Sequence, residues 1–236
     1  MTRGELGAAA RWAVAASALA GQSRAMRDLV RWPARPRAAA ELPSPPDTAL
    51  VRAARDHARM LLSPAVFEHS ERCWHWASAF ARIDARHPDA EPLYLACLLH
   101  DVALGAPASP RAGCFAALGG QGAAEFLKAN DGGAWAYVVA TAIARHMDPR
   151  TPEVSDEAAL LHDAAHLDVA GRRFAEVPGE VVGAVLAAHP RTGFAREFTC
   201  LLRGEARVRP RSTAAVLWRC GTRLPIARNP LDRMPS

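Results

Sequence analysis

The chain has almost no lysine: Lys128 is the only one among 29 basic residues, and the rest are arginine. The net charge of +5 is therefore spread over scattered guanidinium groups rather than gathered into a basic stripe. Nucleic-acid binding depends on clustered charge, so nucleic acid is not an expected partner. Cysteine is sparse too. Cys73, Cys97, Cys114, Cys200 and Cys220 are odd in number, widely spaced and never arranged as Cys-x-x-Cys. That pattern argues against a zinc knuckle or a disulfide framework and for free thiols in a reducing, cytoplasmic setting. Aromatic residues make up only 6% of the chain. No apolar run approaches the ~20 residues of a membrane span, and no segment alternates apolar and polar residues between turn signals as a half-buried strand does.

What the chain has in quantity is alanine. Half of the 236 residues are apolar, alanine supplies much of that share, and alanine has the best helix propensity. The expected fold is all-α, a single domain with a basic N-terminal extension. "RWAVAASALAGQ" (11–22) reads as an amphipathic or partly disordered helix, although its basic start, short apolar stretch and small-x-small ending also fit an export signal. The proline-rich "RWPARPRAAAELPSPPD" (31–47) reads as a linker. Residues 1–46 thus form the extension and linker, 47–205 the helical domain and 206–236 a tail packing on or flanking it. Within the domain, three-and-four spacing predicts helices over 48–62, 64–86, 91–102, 120–129, 133–147, 155–170 and 178–188, with a segment around 191–203. Ser63-Pro64 supplies an N-cap and a first-turn proline.

Polar residues stand out against this scaffold. In "AVFEHSERCWHWASAFAR" (65–82), His69 shares a helix face with Val66, Cys73, Trp76 and Phe80. "LACLLHDVALG" (95–105) runs through apolar residues into the doublet His100-Asp101. His146 ends an apolar face built from Trp135, Val139, Ala142 and Ile143, and "LLHDAAHLDVAG" (160–171) adds His162, Asp163, His166 and Asp168. Four helices each bring histidine or carboxylate toward what can be one place. Imidazole nitrogen and carboxylate oxygen are ligands for Zn, Mn or Fe, and a cation explains why such groups tolerate burial. Periodicity leaves open whether Asp163 or Asp168 belongs to the set, because both lie beside apolar stripes.

The ordered series His, His-Asp, Asp resembles the HD-domain superfamily of metal-dependent hydrolases, and most nearly its cyanamide hydratase-like branch, over about residues 46–203. The matching pieces are "HSER" (69–72), "LYLACLLHDVAL" (93–104), "FAALGGQGAAEFL" (115–127), "ATAIARHM" (140–147) and "AAHLDVAG" (164–171), with a further likeness in "AAHPRTGFAREF" (187–198). The resemblance implies an HD-domain helical bundle and one divalent metal ion (Zn, Fe or Mn) held by His69, His100, Asp101 and Asp168. The branch pattern, alanine-x-x-leucine-aspartate then glycine, is what selects Asp168 over Asp163. Asp101, His146 and Asp163 are the candidates for moving protons, and Arg72 and Arg145 for gripping an anionic substrate. Two-metal forms carry a further histidine, and none lies between His100 and His146. Where the branch has a glutamate after the phenylalanine, Ala116 follows Phe115, so cyanamide itself is doubtful as substrate.

The implied activity is hydrolysis of a small molecule by metal-activated water, at a phosphoester or a C–N bond. A cyanamide- or nitrile-hydratase-like reaction is the alternative, and a non-catalytic HD fold that binds a nucleotide or partner is another. Self-association into a homo-oligomer stays open.

Overall fold

The computed structural model describes residues 4–28, 40–109 and 112–233, with side chains described only up to Ala20 in the first of these. The first part of the expected linker, up to residue 39, lies outside the described residues. The fold is all-α, as expected. Eleven helices occur among the described residues: α1 Ala8–Asp28, α2 Ala49–Leu61, α3 Pro64–Ile83, α4 Ala90–Leu99, α5 Phe115–Ala129, α6 Ala136–Arg145, α7 Asp156–Ala170, α8 Gly179–Ala188, α9 Phe194–Val208, α10 Thr213–Arg219 and α11 Arg223–Ala227. Pairing between strands is limited there to one isolated bridge, Ser109 with Ala112. Among the described residues no helix is long and apolar enough to cross a membrane.

Local chemistry accounts for the starts. Thr48, Ser63, Asp89, Ser155 and Ser212 each accept a backbone N–H from the first turn of the helix that follows, and Pro64 sits where its missing donor costs nothing. Gly171 ends α7 in the left-handed conformation at φ 70°, receiving the chain for the turn that follows.

α3 is the axle. It packs against α4, α7, α8 and α9, and it is buried around nearly its whole girth from Val66 to Phe80. The main core gathers Trp76 and Phe80 of α3, Leu95 and Leu98 of α4, Val139 and Ile143 of α6, and Leu160 and Leu167 of α7. A second apolar cluster joins Phe115 of α5 to Phe194, Phe198 and Leu202 of α9, Ala214 of α10 and Ile226 of α11.

Two stretches differ from expectation. α5 starts at Phe115 rather than near 120, running through Gly119-Gly120, whose glycines read as loop in the sequence. They serve close packing instead: a Cβ on Gly120 would lie 2.6 Å from the Ala140 carbonyl oxygen of α6, and one on Gly119 would lie 3.4 Å from that of His100. The tail beyond 205 folds into α10, α11 and a short 3-10 turn at Pro230–Arg233, and α1 packs on α10.

Candidate metal centre

The packing of α3, α4 and α6 brings three histidines together. His69 lies inside α3, while His100 and His146 are the residues that end α4 and α6. Each ring is held through Nδ1. His69 Nδ1–H donates to Asp168 Oδ2 at 2.7 Å, His100 Nδ1–H to the Cys97 carbonyl at 2.8 Å and His146 Nδ1–H to the Ile143 carbonyl at 2.7 Å. Carbonyl and carboxylate oxygens only accept, so the partners place a proton on each Nδ1, and a ring that is neutral in that tautomer presents a bare Nε2. Burial, with a neighbouring histidine adding to it, lowers His100 and His146 to about 3 each.

Those nitrogens face one another and Asp101. His69 Nε2 and His100 Nε2 are 3.1 Å apart. Asp101 Oδ2 lies 3.6 Å from His69 Nε2 and 3.4 Å from His100 Nε2, and Asp101 Oδ1 lies 3.7 Å from His146 Nε2. All four residues are at most 2% exposed, and neither Asp101 oxygen has a hydrogen-bond partner. Burial pushes the Asp101 carboxyl up, with His69 and His146 opposing. The result is a set of acceptors without a donor, which is costly to bury unless a cation lies among them. Donor atoms about 2.0–2.2 Å from one ion lie roughly 3–4 Å from each other, a spacing that His69, His100 and Asp101 share and that His146 joins through Asp101 Oδ1, so these residues could hold a divalent ion. Three imidazoles and a carboxylate suit Zn, Fe or Mn. Cys73 Sγ stands 3.7 and 3.8 Å from the two nitrogens of His69. Being nearly equidistant from both, it lies off the Nε2 lone-pair axis, and burial pushes its thiol well up.

Asp168, expected as the fourth ligand, is placed differently. Its Oδ1 accepts from Arg72 Nε at 2.9 Å and Trp76 Nε1 at 2.8 Å, and its Oδ2 accepts from Arg72 Nη2 at 2.9 Å and His69 Nδ1. Arg191 Nη1 approaches Oδ2 to 3.0 Å. Burial alone would raise this carboxyl, but Arg72, Arg191 and His69 overcome it and hold the group well below the usual range. With its lone pairs engaged, Asp168 orients His69 from behind, a carboxylate–histidine pairing that typically fixes a metal-binding ring. His146 faces the cluster where a second carboxylate was expected.

Three further candidates lie apart from the cluster. Asp163 accepts from His162 Nδ1 at 2.7 Å, from Thr151 at 2.9 Å and from Arg173. That network points it away from the cluster and holds its carboxyl down to about 2: burial raises the group, and His162, Thr151 and Arg173 more than offset it. Arg72 is fully buried on Asp168 and the carbonyls of His189 and Pro190, with nothing left for a substrate. Arg145 lies at the surface and pairs with Asp148 at 2.8 Å.

Other residues took roles their sequence did not announce. Phe194 and Phe198, four apart on α9, pack on the His69 ring at centroid distances of 4.8 and 5.8 Å; their spacing signalled packing but not its target. Trp76 read as core and also donates to Asp168. Arg191 lay within the likeness in "AAHPRTGFAREF", which did not say what it binds.

Beside the cluster opens a cavity of about 200 Å³ whose wall includes His69, His100, Asp101 and His146. Met147, His166, Val169 and Phe198 form more of it, as do Ser17 and Ala18 of α1 and Leu224, Arg228 and Pro230 from the tail. The segments flanking the expected domain on both sides therefore build this wall. His166 Nδ1–H donates to the His162 carbonyl at 2.8 Å, and burial lowers the ring's pKa well below 6.5. No protein-family model matches the chain, and no curated protein matches it either.

Proposed function

We propose that this chain is a metal-dependent hydrolase of the HD type, acting on a small molecule in the cavity beside the histidine cluster. The observation that carries this is the convergence of three bare imidazole nitrogens and an unpartnered carboxylate at the cavity wall. His69, His100, Asp101 and His146 would hold the ion. A divalent ion held there would lower the pKa of water from about 15.7 toward 7 and would polarise an electrophile.

The protein's own groups do the rest. Asp168 keeps His69 in the tautomer that leaves Nε2 free, and the carbonyls of Cys97 and Ile143 do the same for His100 and His146. Apolar side chains such as Met147, Val169 and Phe198 keep bulk water from the reacting atoms. His166 is neutral, anchored at Nδ1 and lines the cavity, so its Nε2 takes a proton from attacking water and returns it to the leaving group.

Elemental analysis of the purified full chain tests the reading. About one divalent ion per chain is expected, lost in His100→Ala and His146→Ala along with turnover of a small-molecule ester and amide panel. A metal-free wild-type protein that stays metal-free on titration with Zn, Mn and Fe would overturn it.

A further inference from the structure

The phosphoester and C–N alternatives differ in what must surround the cluster. Phosphoryl groups carry charge on several oxygens, and the sites that process them clamp that charge with arginine, lysine or extra metal ions. Here the nearby cations are already engaged. Arg72 is wrapped around Asp168 and two carbonyls, and Arg191 bridges Asp168 and Asp232. The one lysine, Lys128, lies exposed in the last turn of α5. Arg172 and Arg228 do line the cavity, but Arg172 is half-buried and Arg228 exposed, so water screens their charge more than it does that of the buried cluster.

Most of the rest of the wall is apolar, with Ser17, His166 and Thr222 as its other polar side chains. Met147, Val169, Phe198, Leu202, Leu217 and Leu224 enclose a space of about 200 Å³, below the roughly 300–1,000 Å³ of common ligand sites. A dianion would be desolvated there against hydrocarbon, with one ion already shared with the Asp101 carboxylate. α1 closes one side with small residues, Ser17 and Ala18, and the Ser17 hydroxyl donates to the Pro149 carbonyl at 3.4 Å.

We infer that the cavity takes a small uncharged molecule with an apolar body, reacting at an amide or ester carbonyl and not at phosphorus, with the size limit set by α1 at Ala18. This rests on the metal-dependent reading above. For an amide, the water oxygen forms the new C–O bond and the C–N bond breaks. One water proton passes by way of His166 to the leaving nitrogen, and the acid product then releases its own proton to solvent.

Calorimetric binding and thermal midpoints of the full chain with benzamide and phenyl phosphate separate the cases, because the two share a ring and differ in head charge. Without added metal, benzamide is expected to bind at least tenfold more tightly than phenyl phosphate and to raise the midpoint. Leu224→Arg, at a residue 50% exposed and so tolerant of change, should narrow or reverse that order, and Ala18→Trp should remove the benzamide response. With metal loaded, benzoate and ammonia are the expected products. Equal or tighter binding of phenyl phosphate, or no binding of either probe, overturns the inference. A benzamide preference in a protein that takes up no ion would instead overturn the hydrolase reading and leave the cavity's selectivity standing.

Discussion

Asp168 acts by being unavailable. Its two oxygens take donors from Arg72, Trp76 and His69 with Arg191 alongside, all in a fully buried place. Replacing it removes the counter-charge of two buried guanidinium groups as well as the anchor of His69. Asp168→Asn should therefore lower stability by about 3–5 kcal/mol in chemical denaturation and weaken metal binding by about 10- to 100-fold in a chelator competition. A ligand role would predict a different pattern, metal loss with little cost to the metal-free protein. His75 makes a second prediction at this scale. It is 7% exposed, its Nδ1 has no partner, and its ring lies 5.3 Å from that of His189, which is itself bound to Glu68 at 2.7 Å. Burial, then His189, lowers His75 to about 4 from 6.5. Between those values the unfolded chain takes up a proton that the folded chain refuses, so stability falls as pH drops from about 6.5 to about 4. The effect is up to about 3 kcal/mol. Urea midpoints across that range should show a shallower acid limb in His75→Phe.

At the scale of elements, α5 shows how a helix start can hide in a sequence. Glycine reads as punctuation because it weakens helices, and Phe115-Ala-Ala-Leu-Gly-Gly therefore resembled the end of a loop. The glycines are there because α6 passes too close for a side chain, a fact about a distant segment that no local window contains. Gly120→Ala should cost about 1–3 kcal/mol through overpacking against Ala140. Gly122, on the same helix with nothing within 4 Å of an added Cβ, should gain about 0.5–1 kcal/mol as alanine. Thermal denaturation of the pair separates packing from propensity. Three helices whose starts carry a side-chain cap were legible to within a residue or two, α2 at Thr48, α3 at Ser63 and α7 at Ser155, whereas α10, capped by Ser212, was not.

Over the whole molecule, the ends of the chain return to the middle. Asn229 donates to the carbonyls of Leu167 and Asp168 at 3.3 and 2.9 Å, and Asp232 holds Arg191 at 2.7 Å. The 3-10 turn that follows thus latches the end of α7, where Asp168 sits. Asn229→Ala leaves two buried carbonyls without that donor and should cost about 1–3 kcal/mol; it should also weaken metal binding, read by chelator competition, although Asn229 is no ligand candidate. None of this was visible in the tail's sequence, because short helices that dock on distant surfaces have no strong period of their own. The doublet His100-Asp101 and the placement of His69 were legible because each breaks an apolar face. The choice between Asp163 and Asp168 was not, since it turns on which carboxylate Arg72 and Arg191 claim, and both of these come from other elements than α7.

α4 and α6 both stop at the cluster, His100 and His146 being their last caps. Each helix end carries a partial charge of about −0.5 from its unsatisfied carbonyls, and the Asp101 carboxyl, when ionised, adds to it. Without an ion, the site is thus an electrostatic well for cations and a hill for anions, while an uncharged molecule meets neither. An anion offered to the metal-free protein is turned away by the same field that draws the ion in.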